Sequence, residues 1–290
     1  MKMTYTLTAP CHFGLEAVLK REITNLGYEI KAVDNGKVSF LGDAEAIARA
    51  RVLPYQLLTA FQAASADMPH AIRDALQDAM ELAVQNVPSI QGNVVVCPDV
   101  SGSMSSPVTG YRGSATSQTT CVDVAALVSA AMLRTTPHAQ VLPFETRVVD
   151  VRLNPRDSIM TNAEKLARIC GGGTACSAPL AELNRKKAEV DLLIMVSDNE
   201  SWADREQHWN SKTSLMQEWD ALKRRCPRAK LICLDIQPYT TAQAQNRSDI
   251  LNIGGFSDSV FSLIGTFAER GMSADFWVDE IERIALPEAM

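Results

Sequence analysis

The clearest candidates for chemistry are an acid and two hydroxyls at alternate positions, Asp99, Ser101 and Ser103. They follow the apolar run 94–97, which is typical of a buried strand. Because alternate residues of an extended segment turn their side chains the same way, the three oxygens can face one side. Hard divalent cations prefer oxygen ligands, and Mg²⁺ keeps several waters while taking only one or two carboxylates. The spacing therefore predicts a divalent-cation site, with Mg²⁺ as the favoured ion.

Two further oxygen donors follow other segments of the chain. Thr174 comes after the glycines 171–173, and Asp198 comes after the apolar run 192–196. In an open α/β sheet, ligands bind where the loops leave the carboxyl ends of the strands. We therefore expect Thr174 and Asp198 to complete a metal site with Asp99, Ser101 and Ser103. The simpler alternative, a polar loop with a helix cap, stays open at this stage.

No residue pattern indicates catalysis. The glycines 171–173 lack the Lys and Ser/Thr of a phosphate-binding loop, so they are predicted to form a turn. The four histidines show neither His-Glu-x-x-His spacing nor an evident Ser or Cys partner, so surface or packing roles are predicted for them. They are His12, His70, His138 and His208. A non-enzymatic protein without catalytic residues is expected.

Composition indicates an ordinary globular chain of 290 residues, 46% hydrophobic and 21% charged. The net charge of −6 gives no overall basic field, so any RNA binding needs a local patch. The densest basic stretch, residues 223–225, could contact RNA or could simply end a helix, where cations complement the helix dipole. The sequence does not decide between these two roles.

The pattern of apolar residues predicts neither a membrane span nor a secretory signal. No apolar run approaches the roughly 20 residues of a membrane helix. Threonines interrupt the start of the chain, so a signal peptide is not expected. The seven cysteines are odd in number, form no Cys-x-x-Cys pair and lie partly in apolar runs, which indicates reduced, buried thiols. We expect a cytoplasmic protein.

Strands and helices alternate after about residue 93. The predicted strands are 93–98, 140–144, 148–153, 190–196, 230–235 and 250–253, and the predicted helices are 121–135, 158–169, 177–187, 215–226 and 259–270. Strands this apolar need cover on both faces. The pattern therefore predicts a doubly wound, mainly parallel α/β sheet of Rossmann-like type, which brings the predicted ligands to one edge.

The first part of the chain predicts a small α+β unit. A strand at 3–9, a helix at 12–26 and a hairpin around Asp34-Asn35-Gly36 give the order β-α-β-β, since Asn-Gly favours a tight turn. Helical segments follow at 43–64, broken at Pro54, and at 69–86. We predict three parts, namely residues 1–42 as the small unit, 43–88 as a helical connector and 89–290 as the metal-binding domain.

The predicted ligands, Asp99-x-Ser101-x-Ser103 with Thr174 and Asp198, resemble the metal-ion-dependent adhesion site (MIDAS) of von Willebrand factor A domains. Residues 96–104, 170–177 and 197–200 resemble the C-terminal A-type domain of the Ro autoantigen (TROVE) family, and residues 50–60 resemble the helical segment before it. The resemblance spans about residues 45–290. It implies a metal-binding, non-enzymatic member of a ribonucleoprotein that holds small noncoding RNA or serves RNA quality control.

Two departures qualify this resemblance. The chain has no room for the family's ring of helical repeats, so weak RNA binding is expected of this chain alone. Ala175 stands beside the predicted ligand Thr174, where a polar side chain is expected, and this could loosen the surroundings of the metal.

The first 42 residues resemble the start of THUMP-containing ribosomal RNA guanine methyltransferases, through residues 7–16 and 26–29. No Gly-rich loop for S-adenosylmethionine is visible in the sequence. Two alternatives remain beside the Ro-type function. The chain could be an accessory fragment of an rRNA methyltransferase, or its A-type domain could bind an acidic protein ligand at the metal without RNA.

Overall fold

The computed structural model describes residues 4–10, 16–43, 46, 54–63, 70–110, 117–198, 214–237, 244, 247–257 and 259–270. The chain divides into two compact units, Met1–Asn86 and Val87–Met290. The predicted division into three parts, at residues 42 and 88, stays a prediction. Cys11, His12 and His208 lie outside the described residues.

The N-terminal unit contains a small antiparallel sheet with one helix between its first two strands. Its elements are β1 (Tyr5–Pro10), α1 (Glu16–Asn25), β2 (Glu29–Asp34) and β3 (Lys37–Gly42), and the strand order is β1-β3-β2. Gly36, at φ +73°, makes the tight turn between β2 and β3, and its N–H donates to Glu16 Oε1 at 2.8 Å. The predicted small α+β unit is confirmed.

One face of this sheet carries the core of the N-terminal unit. Val38 and Phe40 of β3 are buried with Ile23 of α1 and with Ala46. Two helices follow, α2 (Pro54–Ala63) and α3 (His70–Ala83), and a 3₁₀ turn at Val84–Asn86 ends the unit. The predicted helix at 43–64 is thus seen from Pro54 onward, while 44–45 and 47–53 lie outside the described residues.

The C-terminal unit is built on a parallel sheet with strand order β5-β4-β6-β7-β8 in its described part. The strands are β4 (Val94–Pro98), β5 (Ala139–Val141), β6 (Leu192–Ser197), β7 (Lys230–Asp235) and β8 (Ile250–Gly254). The helices are α4 (Cys121–Thr135), α5 (Ile159–Ala167), α6 (Ala178–Lys186), α7 (Ser214–Arg225) and α8 (Ser259–Arg270). The predicted parallel α/β architecture is confirmed.

Burial on both faces explains why the central strands are continuous apolar runs in the sequence. Every residue of β4 and of β6 is buried, as expected for strands covered by helices on both faces. On one face, Val95 and Met195 pack in a core cluster with Trp219 of α7. The two strands run parallel and in register from Val94 beside Leu192 to Pro98 beside Val196. Their carboxyl ends therefore lie side by side, where the predicted ligands begin.

The predicted strand at 148–153 is wrong. After β5 the chain still follows β4, because the Leu142 N–H donates to Val96 O at 2.8 Å, and it then folds back on itself. The returning segment makes one bridge, Phe144 to Val148, and forms no ladder. Val148 and Val151 instead line a groove beside α6, which explains their apolar character without strand pairing.

Two further sequence expectations concern membranes and cysteines. Among the described helices, none combines the length and apolarity that a bilayer crossing requires. All six described cysteines are free thiols, four of them buried, and burial raises the pKa of Cys97 and Cys233 well above the usual thiol range. The thiols in the strands therefore act as small apolar side chains.

Candidate metal centre

Asp99 is held rigidly at the end of β4. Its N–H donates to Val196 O at 2.8 Å, which extends the pairing of β4 with β6 by one residue. Its side chain is fully buried. Oδ1 accepts the Ser101 N–H at 2.8 Å, and Oδ2 accepts the Ser197 hydroxyl at 2.7 Å. The carboxylate is thus oriented by one partner on each oxygen.

The electrostatic surroundings of Asp99 favour a nearby cation. The pKa of Asp99 is raised to about 6, chiefly because the carboxyl is buried; the hydrogen bonds from Ser101 and Ser197 oppose the rise, and the charge of Asp198 adds to it. The charged form of Asp99 is therefore costly in this environment. A cation beside both acids would offset that cost.

The two serines after Asp99 bring their hydroxyls together in a turn. Ser101 is buried, and a 3₁₀ helix at Gly102–Ser105 begins immediately after it. The Oγ atoms of Ser101 and Ser103 lie 3.2 Å apart. Two of the three predicted donors thus lie close together, with Ser101 in extended backbone and Ser103 in the 3₁₀ turn. Both hydroxyl oxygens are available to the same ligand.

Backbone hydrogen bonds join the glycine segment to the loop after β4. The Gly171 N–H donates to Val100 O at 2.7 Å, and the Gly102 N–H donates to Gly172 O at 3.0 Å. Thr174 lies two residues farther along and is 2% exposed. The segment that carries Thr174 is thus joined to the segment that carries Asp99, as the sequence predicted.

Gly172 lies where only glycine fits without strain. Its φ is +78°, and a Cβ at this position would overlap the carboxylate of Glu145. Glu145 is itself anchored, because its Oε2 accepts the Thr146 hydroxyl at 2.7 Å and its carbonyl accepts the Ala175 N–H at 2.8 Å. The conformation of the segment before Thr174 therefore depends on Gly172.

Asp198 follows β6 directly and is 3% exposed. The residue before it, Ser197, is tied to the next strand because the Ile236 N–H donates to Ser197 O at 2.8 Å. The charge of Asp198 contributes to the raised pKa of Asp99. Asp198 is thus one of the buried carboxylates at this edge of the sheet, together with Asp99 and with Asp235 at the end of β7.

These residues fit a hard cation by the chemistry of their donors. Two carboxylates and three hydroxyls give oxygen ligands only, with as few acids as Mg²⁺ takes in proteins. In the part of the chain that the structure describes, no group of three or more His, Cys, Asp or Glu side chains is placed to hold a metal. The candidate site as predicted therefore takes its remaining oxygen donors from the hydroxyls of Ser101, Ser103 and Thr174.

The sequence interpretation missed the role of Ser197. Its hydroxyl donates to Asp99 Oδ2 and so orients the acid from the neighbouring strand. A signal was available, because Ser197 is the polar residue that ends an otherwise apolar strand and directly precedes the predicted ligand Asp198. Cys170 was also missed as a neighbour of the site; its thiol donates to Ser101 O at 3.1 Å.

Two of the three basic residues at the end of α7 serve the fold. Lys223 donates to Ala229 O at 2.8 Å, and Arg225 donates to Asn184 Oδ1 at 2.9 Å. Arg224 and Arg225 are both exposed. Lys223 and Arg225 therefore tie the end of α7 to neighbouring segments, which leaves Arg224 as the residue of the three best placed to contact a partner.

This difference between neighbouring arginines is testable. We expect Arg225→Ala to lower the free energy of unfolding by about 1 kcal/mol, because its guanidinium bonds to Ala188 O and to Asn184 are lost. Arg224→Ala is the matched control and should leave the melting temperature nearly unchanged. Thermal melts of both variants provide the measurement, and equal melting temperatures would contradict the structural role of Arg225.

Comparison with known families separates the two units. A model of the Ro60 vWA domain matches residues 93–268, and a model of the RlmL ferredoxin-like domain matches residues 6–52. The first match covers the parallel sheet and the candidate metal centre, and the second covers the small antiparallel sheet. Both resemblances predicted from the sequence are confirmed.

Individual relatives agree with these matches. The RNA-binding protein RO60 of Deinococcus radiodurans is 28% identical over 196 residues, which is 67% of this chain and 35% of that protein. The RNA-binding protein RO60 of Caenorhabditis elegans is 25% identical over 82% of this chain and 37% of that protein. The crystal structure of the Deinococcus radiodurans RO (RSR) protein shares the fold, with a TM-score of 0.61 and 24% identity over 78% of this chain and 46% of that chain.

The N-terminal relative is of another kind. The Bacillus subtilis protein named "Putative RNA methyltransferase YpsC" is 58% identical over 48 residues, which is 17% of this chain and 12% of that protein. The chain spans little more than a third of the length of the two RO60 proteins that it matches. Its similarity to known proteins therefore joins parts of two different families.

Proposed function

Since the chain belongs to the Ro60 vWA domain family, we propose that it is a non-enzymatic, metal-dependent binding module of a Ro-type RNA-binding protein. Its role is to bind small noncoding RNA or to take part in RNA quality control. The observation that carries the metal dependence is the buried Asp99 carboxylate, held on both oxygens and placed in a loop with two adjacent serine hydroxyls.

In this proposal, Asp99, Ser101, Ser103, Thr174 and Asp198 hold the cation, which is Mg²⁺. The bound ion supplies positive charge at an edge of the sheet where two acids otherwise repel each other. An octahedral ion with few protein carboxylates completes its shell with water or with an oxygen from a partner. The residues of the chain orient the site, and the partner contributes the remaining oxygen.

RNA binding is proposed from the names of the relatives together with the charge of this chain. Both RO60 relatives are called RNA-binding proteins, and the N-terminal relative is named "Putative RNA methyltransferase YpsC". The net charge is −6, and two basic residues of the stretch 223–225 are occupied within the fold. RNA binding by this chain alone is therefore weak and depends on a few phosphate contacts.

The affinity for RNA is expected to fall steeply with salt. A labelled small structured RNA is titrated with the full chain at constant Mg²⁺, and binding is followed by fluorescence anisotropy. With only a few phosphates neutralised, the dissociation constant should rise roughly tenfold or more between about 50 and 200 mM salt. Tight binding that is insensitive to salt contradicts weak, patch-based contact, and no binding at the lowest salt contradicts the RNA-binding function.

A binding experiment with the same protein preparation distinguishes RNA binding from the first alternative, an acidic protein ligand at the metal. An acidic protein ligand would place a carboxylate on the cation without any RNA. Retention of a Glu-containing peptide that requires Mg²⁺, with no retention of RNA, would favour that alternative. The other alternative, an accessory fragment of an rRNA methyltransferase, is favoured by the match of residues 6–52 and by the relative from Bacillus subtilis, both of which concern the N-terminal unit.

A further inference from the structure

The carboxyl ends of two neighbouring helices meet at the amino edge of the parallel sheet. α6 leads into β6 and α7 leads into β7, and these two strands are adjacent and parallel. Arg225, the last residue of α7, joins the two helix ends, because its guanidinium donates to Asn184 Oδ1 at 2.9 Å and to Ala188 O at 2.8 Å. The candidate metal centre follows the carboxyl ends of the strands, so this surface lies at the opposite edge of the sheet.

Basic residues are concentrated at this surface, which we call the basic junction and define as residues 182–191 and 223–229. The two segments contain seven basic and three acidic residues, in a chain whose net charge is −6. The acids are Glu182, Glu189 and Asp191. Six of the basic side chains are exposed, namely Arg185, Lys186, Lys187, Arg224, Arg225 and Arg228. The basic junction therefore carries a local positive charge that the chain as a whole does not have.

Part of this charge serves the fold. Four basic side chains bond to Glu182 or to backbone and amide oxygens near the helix ends; they are Arg185, Lys186, Lys223 and Arg225. Three others differ from them, because Lys187, Arg224 and Arg228 make no side-chain hydrogen bond or ion pair within the described part of the chain. The fold therefore leaves these three charges available to a partner.

Lys187 has a backbone conformation that favours glycine. Its φ is +53°, and among the described residues it is the one non-glycine with a positive φ. Helices commonly end with a residue in this left-handed conformation, usually glycine, because a Cβ is strained there. The lysine accepts this strain although its side chain bonds to nothing in the described fold. Such an outlier is explained by a contact of its charge outside the fold.

We propose that the basic junction binds the phosphate backbone of RNA through Lys187, Arg224 and Arg228. This inference rests on the RNA-binding function proposed above and names the surface that performs it. Lysine and arginine contacts to phosphates supply affinity that is independent of sequence and depends on salt. Three such contacts agree with the weak binding expected of a chain with net charge −6. RNA bound here leaves the opposite edge of the sheet open to another partner.

The test is RNA binding by the full chain, with the labelled small structured RNA and the salt titration described above. Arg224→Gln/Arg228→Gln should raise the dissociation constant about tenfold or more at about 50 mM salt, and it should reduce the slope of log affinity against log salt by roughly 1.4–1.8. Arg152→Gln/Arg156→Gln is the matched control. It removes the same charge from two exposed arginines outside the basic junction, so it should bind RNA nearly as the wild type does.

Lys187→Gly separates RNA contact from a structural role. Glycine relieves the left-handed strain, so the melting temperature should stay the same or rise, while RNA binding should weaken and the salt slope should fall by roughly 0.7–0.9. Thermal melts of all variants are recorded on the same samples.

Two kinds of failure are distinguishable. The assignment of this surface is overturned, with the RNA-binding function intact, if Lys187→Gly or the Arg224/Arg228 variant binds RNA as tightly as the wild type, or if the control pair loses as much affinity as the Arg224/Arg228 pair. Absence of RNA binding by the wild type at the lowest salt overturns the proposed RNA-binding function, and this inference with it.

Discussion

Asp99→Ala is expected to abolish Mg²⁺ binding while the chain stays folded. The loss of affinity should exceed the roughly 10–100-fold that follows removal of a supporting partner, because Asp99 is one of the two acids proposed to hold the ion. Folding is expected to persist because removal of one buried acid relieves its repulsion with Asp198. The measurement is a calorimetric Mg²⁺ titration, with a thermal melt of the same samples.

The alanine variant also leaves two hydrogen-bond donors without an acceptor. The Ser101 N–H and the Ser197 hydroxyl both donate to Asp99, and an unsatisfied buried donor costs about 1–3 kcal/mol. Asp99→Asn keeps an acceptor oxygen and removes the charge, so it should lose Mg²⁺ binding with a smaller loss of stability. Asp150→Asn, at an exposed acid, is the control and should bind Mg²⁺ like the wild type.

Two outcomes would contradict this assignment. Equal Mg²⁺ affinity in the wild type and in Asp99→Asn would refute the site. Unfolding of Asp99→Asn in the absence of metal would show that the main role of Asp99 is structural, since this variant retains the shape of the side chain.

Gly172→Ala is expected to weaken Mg²⁺ binding about tenfold and to destabilise the chain. The left-handed backbone at Gly172 costs an alanine about 1–2 kcal/mol. The added Cβ also displaces the Glu145 carboxylate, which accepts the Thr146 hydroxyl. Because Thr174 follows two residues later, the strain should be transmitted to this proposed metal ligand.

The neighbouring glycine provides a matched control. A Cβ at Gly171 meets no atom within 4 Å, and Gly171 has no positive φ. Gly171→Ala should therefore bind Mg²⁺ and melt almost as the wild type does. Calorimetry and thermal melts of the two variants are compared directly. If Gly172→Ala binds Mg²⁺ as tightly as Gly171→Ala, the glycine segment does not position Thr174.

Local patterns in the sequence were sufficient for most of the elements. The helix predicted at 121–135 has those bounds in the structure, where Thr120 and Asp123 form a reciprocal cap at its start. The strand predicted at 230–235 is also found with the same bounds. Such elements are encoded by neighbouring residues, through apolar periodicity and capping.

Pairing between distant segments was not predictable in the same way. The run 148–153 has the apolar residues of a strand, but strand formation needs continuous pairing with a partner, and this segment makes only the single bridge from Val148 to Phe144. Likewise, Lys223 and Arg225 resemble a free basic patch in sequence, yet Arg225 bonds to Asn184, which is 41 residues away. The availability of a partner is decided by packing.

The sequence by itself determined the donor types of the candidate metal centre and its place at strand ends, because oxygen chemistry and strand periodicity are properties of short segments. Only the tertiary structure decided how Asp99 is oriented, through the Ser197 hydroxyl 98 residues away. It also decided that position 172 favours glycine, through its left-handed backbone at φ +78°. Contacts between segments far apart in the chain exist only after the sheet has set their register, and no local pattern encodes them.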